Sequence, residues 1–243
     1  MQAFVLCGGL GTRLAGMLGE QPKPMAPIAG RPFLEYLLAY LKRHGLREVV
    51  LCLGYRAEAI AAHFGDGGAL GMRIAYSRED APLGTGGAFR QAASLLVGDH
   101  LLAMNGDSLF DMDLADLVAY HHRQHALATI ALAQVPDTSR YGSVEVDPQG
   151  RIRRFLEKRV GGGPGLINSG VYVFQRQVLD RIPAGRAVSL EREVFPGLMG
   201  SPFYGLPFAG RYFVDIGVPQ DLLSLQADPS PLQRASAEED EQC

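Results

Sequence analysis

The sequence predicts an α/β fold: a mostly parallel, mixed sheet with helices on both faces, followed by a small β-rich extension. Two observations carry this. Over the first hundred residues, short apolar runs alternate with stretches of helical periodicity, the pattern of a parallel sheet covered on both sides. Past residue 126 the helical spacing fades, and strand-like runs separated by turn residues take over. A chain of 243 residues, 47% hydrophobic, can bury one large core. We read residues 1–226 as a single Rossmann-like domain with halves 1–126 and 127–226, and residues 227–243 as a polar, acidic tail expected to be disordered.

In order, the apolar run 3–6 predicts a buried first strand. Residues 32–44 have helical spacing and end at Gly45, a natural C-cap. A second strand over 48–53 leads to a helix over 56–64 closed by Gly65, then to a strand over 72–76. A helix over 85–96, a strand over 100–104 and a helix over 114–125, capped by Asp113, complete the first half. Runs 127–135, 142–147, 151–157 and 167–174 read as strands of a wall over the sheet, with Pro148-Gln149-Gly150 as a hairpin turn. A short strand over 213–215 precedes a helix opened by Pro219.

Composition excludes several roles. A net charge of -3 gives no basic footprint, which argues against a nucleic-acid partner. No run approaches 18 apolar residues, so no spanning helix is expected, and the N-terminal run breaks at Gly8 without a signal-peptide pattern. Cys7, Cys52 and Cys243 are odd in number and lack C-x-x-C spacing, against a disulfide framework or a zinc site. A cytoplasmic protein is the expectation, with homo-oligomerisation left open.

The chemistry concentrates after the first strand. Cys7-Gly8-Gly9-Leu10-Gly11-Thr12-Arg13-Leu14 is followed by Pro22-Lys23-Pro24-Met25. Glycines let the backbone turn sharply and aim N–H groups at phosphate oxygens, and Arg13 and Lys23 add fixed positive charge. The G-x-G-x-x-G fingerprint fails at Leu14, and no P-loop run exists, so neither standard motif applies. The implied task is handling a polyphosphate. Asn105-Gly106-Asp107 follows the fourth strand, where an acidic residue is placed to hold a divalent cation between phosphates.

GGLGTRL followed by PKPM resembles the signature of the sugar-1-phosphate nucleotidyltransferases. The resemblance runs in motif order to about residue 222. It implies that Leu6, Gly8, Gly9, Gly11, Thr12, Arg13 and Lys23 bind the nucleotide. Pro82, Gly84 and Thr85 match the family's P-L-G-T nucleoside cradle, which puts Glu79 at the base-reading position. Asn105, Gly142, Glu157, Lys158 and Asn168 match segments that hold the sugar phosphate, with Lys158 steering the incoming phosphate. Asp107 and Asp215 match the metal-binding aspartates, which implies Mg2+. Catalysis would then rest on Arg13, Lys23, Asp107 and Lys158.

A carboxylate only accepts hydrogen bonds. Guanine offers it two adjacent donors, whereas uracil and thymine offer one beside two repelling carbonyls, so Glu79 favours GTP. The alternative leaves base reading to Asp80 or the backbone. The runs PKPMAPIAGRPFLEY and YSREDAPLGTGGA most resemble D-glycero-D-manno-heptose 1-phosphate guanylyltransferases, which implies GTP and that heptose 1-phosphate as substrates and GDP-heptose and pyrophosphate as products. The competing enzyme reading is a uridylyl- or thymidylyltransferase acting on a hexose or amino-sugar 1-phosphate. A regulatory subunit that only binds nucleotide sugars is the non-enzyme reading, and the presence of Arg13, Lys23 and Asp107 argues against it.

Overall fold

The computed structural model describes residues 1–9, 12–141, 143–156 and 162–237. Seven strands form the central sheet: β1 (Gln2–Leu6), β2 (Glu48–Leu53), β3 (Arg73–Arg78), β4 (His100–Asn105), β5 (Ala128–Val135), β6 (Gly165–Gln175) and β7 (Phe203–Phe208). Their order is β7-β5-β6-β4-β1-β2-β3, and β6 alone runs antiparallel to its neighbours. Side chains alternate across the sheet as the strand period demands. In β1, Ala3 and Val5 enter one core and Phe4 the other. In β2, Val49, Leu51 and Leu53 share the first core, while Val50 and Cys52 share the second. Both faces are therefore apolar, and helices cover both.

On the first face lie α1 (Phe33–Arg43), α2 (Ala57–Phe64) and α4 (Leu114–Arg123). On the second lie α3 (Gly84–Ala92), whose Phe89 is fully buried, and the short helices Arg176–Asp180 and Phe195–Leu198. Asp113 caps α4, its carboxylate accepting the Ala115 N–H at 2.8 Å. Only part of the expected β-rich wall stands apart from the main sheet. The runs 127–135 and 167–174 are central strands β5 and β6, and the extension reduces to an antiparallel hairpin of Ser143–Val146 and Ile152–Leu156. The two central runs are apolar on both faces, as a doubly covered strand requires.

The tail expectation needs a second correction. After α5 (Pro219–Ala227), residues Ser230–Ser236 form α6, with Leu232 and Ala235 buried. The Arg43 guanidinium donates to the carbonyls of Arg234 and Ala235, clamping α6 onto α1. Residues 238–243 lie outside the described residues.

One feature of the second face fixes the site wall. The segment after Arg186 docks on the start of α3: Val188 N–H donates to Leu83 O at 2.8 Å, and Gly86 N–H donates to Val188 O at 2.8 Å. Gly84 has φ +68°, and a Cβ there would stand 2.7 Å from Val188 O. Gly86 and Gly87 face the same segment at comparably short range. Gly84, Gly86 and Gly87 thus make room for the 186–188 segment.

At the opposite end of the sheet, His121 is fully buried on α4, its Nδ1 2.9 Å from Thr129 Oγ1. Its Nε2 has no hydrogen-bond partner among the described residues, and the His100 and His122 rings stand at 5.3 and 5.7 Å. Burial, then His100 and His122, push its pKa down to about 3. An unfolded histidine titrates near 6.5, so between these values the unfolded state holds the extra proton. Stability should therefore fall as pH drops below about 6.5, by at most about 1.4 kcal/mol per pH unit from this group. Denaturant titrations from pH 7 to 4 should show that slope, and His121→Gln should flatten it. Gly84→Ala should destabilise the fold by about 1–3 kcal/mol in urea unfolding, because both φ and the Val188 carbonyl oppose a Cβ.

Candidate active site

The carboxyl ends of β1, β2 and β4 meet at one point, and glycines permit it. A Cβ at Gly54 would stand 2.8 Å from Gly8 O, and one at Gly106 would stand 2.5 Å from Leu6 O. Gly8 also faces the Glu79 carboxylate, 3.1 Å from where its Cβ would lie, whereas Gly9 opens onto free space. This junction floors a cavity of about 280 Å3 lined by Leu6, Gly8, Gly9, Lys23, Glu79 and Pro82, together with Cys7, Pro24 and Ala88. The Cys7 thiol in its wall is fully buried, and that burial, with Cys52 and Asp107 nearby, pushes its pKa up.

Glu79 directly follows β3, its N–H donating to Leu53 O at 2.8 Å. Its Oε2 accepts the Leu83 N–H at 2.8 Å. Partial burial raises its pKa, opposed by that hydrogen bond. Asp80 is exposed and lines neither cavity of the site, so of the two acidic neighbours only Glu79 faces the pocket.

A second, wider cavity of about 1190 Å3 adjoins the first, sharing Gly84, Thr85, Asn105 and Asp107 with it. Arg13, Asn168 and Asp215 line it. The antiparallel register of β6 sets Val171 opposite Met104, which brings Gly170 against Asn105 at the end of β4. Just before it the β5–β6 pairing breaks between Asn168 and Tyr172. Asn168 Nδ2 donates to the Tyr172 hydroxyl at 3.0 Å, and its Oδ1 accepts the Gly170 N–H at 2.9 Å.

Three charges gather where the cavities meet. The strands Ser108–Phe110 and Phe213–Asp215 pair antiparallel with Asp215 opposite Ser108, and Ile216 N–H donates to Asp107 O at 3.0 Å. This ribbon carries Asp215 to Asp107 despite their separation in sequence. Lys23 Nζ sits between them, 2.6 Å from Asp107 Oδ2 and 3.4 Å from Asp215 Oδ1, with its side chain 12% exposed. Lys23 is held by the tight turn after Pro22, where Met25 N–H donates to Pro22 O at 2.8 Å. Burial and then Asp107 raise the Asp215 pKa, and Lys23 opposes them.

Gly11, Gly142, Glu157 and Lys158 lie outside the described residues, as does the side chain of Thr12. Sequence reasoning missed Arg140, Ser189, Glu191 and Arg192, which also line the wider cavity. Arg140 is fixed by Asp221 at 2.6 Å and lies 5.2 Å from the Tyr141 ring centre. The local signal at Ser189 is that of an N-cap before Leu190–Val194; the run Ser-Leu-Glu-Arg-Glu has Arg192, not an acid, at the third position and gives no sign of Glu191.

The family model described as nucleotidyl transferase matches residues 2–230. The chain is 43% identical over 243 residues to a mannose-1-phosphate guanylyltransferase of Mycobacterium tuberculosis, covering 96% of this chain and 67% of that protein. It is 40% identical over 221 residues to the D-glycero-alpha-D-manno-heptose 1-phosphate guanylyltransferase of Campylobacter jejuni, covering 91% of this chain and 96% of that one. The crystal structure of HddC from Yersinia pseudotuberculosis complexed with GMP-PN superposes with a TM-score of 0.83 at 30% identity, covering 93% and 98% of the two chains. This chain is therefore a member of the nucleotidyl transferase family.

Proposed function

We propose that the protein transfers a guanylyl group from GTP to D-glycero-α-D-manno-heptose 1-phosphate, releasing pyrophosphate and GDP-heptose. The observation that carries the base is Glu79. It is a half-buried carboxylate, anchored by one oxygen to Leu83 N–H, in the wall of the smaller cavity. Guanine satisfies it with two adjacent donors. The sugar is supported by relatives at 40% and 37% identity, both named for this heptose phosphate. Mannose 1-phosphate is the second reading, favoured by the 43% identity to the Mycobacterium protein. Both sugars have the manno configuration, so the two readings share the demands of the ring hydroxyls, and the heptose asks for room for one further CHOH unit beyond C5.

In the reaction, a sugar-phosphate oxygen attacks the α-phosphorus of GTP in line. The bond from that phosphorus to the bridging oxygen of the β-phosphate breaks, and pyrophosphate leaves on the far side. Little covalent work falls to the protein, which must align the two substrates and offset charge. The open backbone at Gly9, with Arg13 and Lys23, takes the triphosphate. Arg13 lines the wider cavity and, among the described residues, pairs with no carboxylate, so its guanidinium is available to phosphate oxygens.

Asp107 and Asp215 fit a magnesium ion on chemical grounds. They are two converging carboxylates against a single ammonium, one negative charge in excess. Among the described residues no group of three or more ligating side chains converges, so phosphate oxygens and water would complete the shell. When bound, the ion supplies charge neutralisation of the phosphates. The protein's part is to hold the two carboxylates together through the 108–110 and 213–215 ribbon and to let Lys23 turn from them to phosphate.

Asp107→Asn should lower turnover about 100-fold or more, measured as pyrophosphate release, while circular dichroism stays native. Near-normal turnover would remove Asp107 from the machinery. Glu79→Gln should cut the GTP-over-UTP ratio of kcat/KM by about 10- to 100-fold, the scale of a mismatched charged hydrogen bond in a polar pocket. Because burial raises the Glu79 pKa, KM for GTP should climb on acidification while still above the usual carboxylate range. Glu79→Gln should lose that dependence.

A further inference from the structure

The segment that docks on α3 carries a carboxylate with no structural need of its own. Ser189 opens the helical turn Leu190–Val194, its Oγ accepting the Arg192 N–H at 3.2 Å. Glu193 completes the cap, accepting the Ser189 N–H at 3.0 Å and holding Arg186 at 2.8 Å. Capping is thus met without Glu191. Glu191 instead faces the wider cavity. Its Oε2 accepts from Ser189 Oγ at 2.9 Å and from Thr85 Oγ1 at 3.2 Å. Its other oxygen has no partner among the described residues, and Glu191 forms no ion pair there. Arg13, Arg140 and Arg192 all line the same cavity, yet none of them is paired with it.

Two hydroxyl donors on one oxygen fix the direction in which the other points, as a pre-set acceptor must be fixed. Thr85 does more than donate. Its hydroxyl also accepts the Leu190 N–H at 2.8 Å, and it lines both cavities. Asn168, whose Nδ2 donates to the Tyr172 hydroxyl, lines the same wider cavity as Glu191. That cavity therefore presents both an amide and a carboxylate. Neutral polyols are recognised by such a pairing, because their hydroxyls donate to the carboxylate and exchange bonds in both directions with the amide.

We propose that Glu191 is a specificity-determining residue that accepts hydrogen bonds from hydroxyls of the sugar 1-phosphate, and that Thr85 and Ser189 hold it in register with the nucleotide cavity. The assignment rests on the nucleotidyl-transfer reading above and adds a sugar contact that Asn168 alone does not supply. It also gives a route by which a filled nucleotide cavity orders the sugar wall, through Thr85.

The test uses the whole chain with GTP and a series of mannose 1-phosphates lacking the 2-, 3-, 4- or 6-hydroxyl. Glu191→Gln and Glu191→Ala should raise KM for the intact sugar 1-phosphate about 10- to 100-fold, the range of a hydrogen bond to a charged group. The affinity for a fluorescent GTP analogue should stay within about threefold, because Thr85 keeps its bond to Leu190 N–H and its place in the nucleotide cavity when Glu191 is changed. In the wild type one deoxy analogue should bind poorly, and in Glu191→Ala that analogue and the parent sugar should bind alike. A merely structural brace would not erase one hydroxyl's contribution selectively. Unchanged KM with active enzyme would overturn the Glu191 assignment alone. So would a parallel loss of GTP-analogue binding and thermal midpoint in both variants. Wild-type protein that releases pyrophosphate with no sugar 1-phosphate would overturn the transfer reading and this assignment with it.

Discussion

The site is organised around the Lys23 ammonium held between Asp107 and Asp215. Two carboxylates brought close in a partly buried place repel each other, and the rise in the Asp215 pKa, driven by burial and then by Asp107, records that cost. The ammonium offsets it and keeps both groups aimed at the same space. Every local element near the pair serves this convergence. The β4 turn at Gly106 fits under Leu6 O, the 108–110 and 213–215 ribbon sets the register of Asp215, and Pro22 fixes the turn that delivers Lys23. The negative charge in excess is what the proposed cation and phosphates would offset. A site that is half-neutralised before substrate arrives stays folded without them and remains receptive to them.

The second organising contact is the docking of residues 186–194 on the start of α3. Backbone bonds between Leu83, Gly86 and Val188 lie beside the Thr85, Ser189 and Glu191 hydroxyl–carboxylate cluster. The start of α3 and one wall of the wider cavity are therefore a single packed unit. Displacement of either would strain the other, because cores of native density do not deform continuously. Physical continuity between the cavities comes from shared packing at Gly84 and Thr85, with no long relay required.

Most of the fold was legible in the sequence because its signals are local. The strand over 48–53 and the helices after it follow from apolar spacing and glycine stops, and Asp113 reads as a cap from its position alone. What was illegible depends on pairing at long range. No local pattern tells that the runs 127–135 and 167–174 join the central sheet, or that 167–174 runs antiparallel within it. The acidic stretch from residue 237 masks the spaced Leu232 and Ala235 that bury α6 on α1. In the site, Glu79, Asp107 and Asn168 were found because their motifs lie at strand ends or breaks. Sequence does not say whether a missing side chain makes room for a ligand or for another loop: Gly84, Gly86 and Gly87 admit the 186–188 segment, and Gly84 also lines both cavities. Glu191 carries no local signal, because the turn is capped by Ser189 and Glu193 and its meeting with Thr85 depends on long-range docking.

The Glu79 carboxylate shows how a binding pocket can reject as well as accept. Half-buried, it carries a desolvation cost in the free protein that one backbone hydrogen bond only partly offsets. A base presenting two adjacent donors relieves the remaining cost. A base presenting a carbonyl at the same place deepens burial and adds repulsion, leaving the carboxylate unpaired. Rejection of this kind is stronger than rejection by shape, because a missing partner for a buried charge costs more than a missing methylene. The guanine preference proposed above and the raised pKa of Glu79 would thus be two consequences of one arrangement: a half-buried carboxylate with one oxygen held by Leu83 N–H.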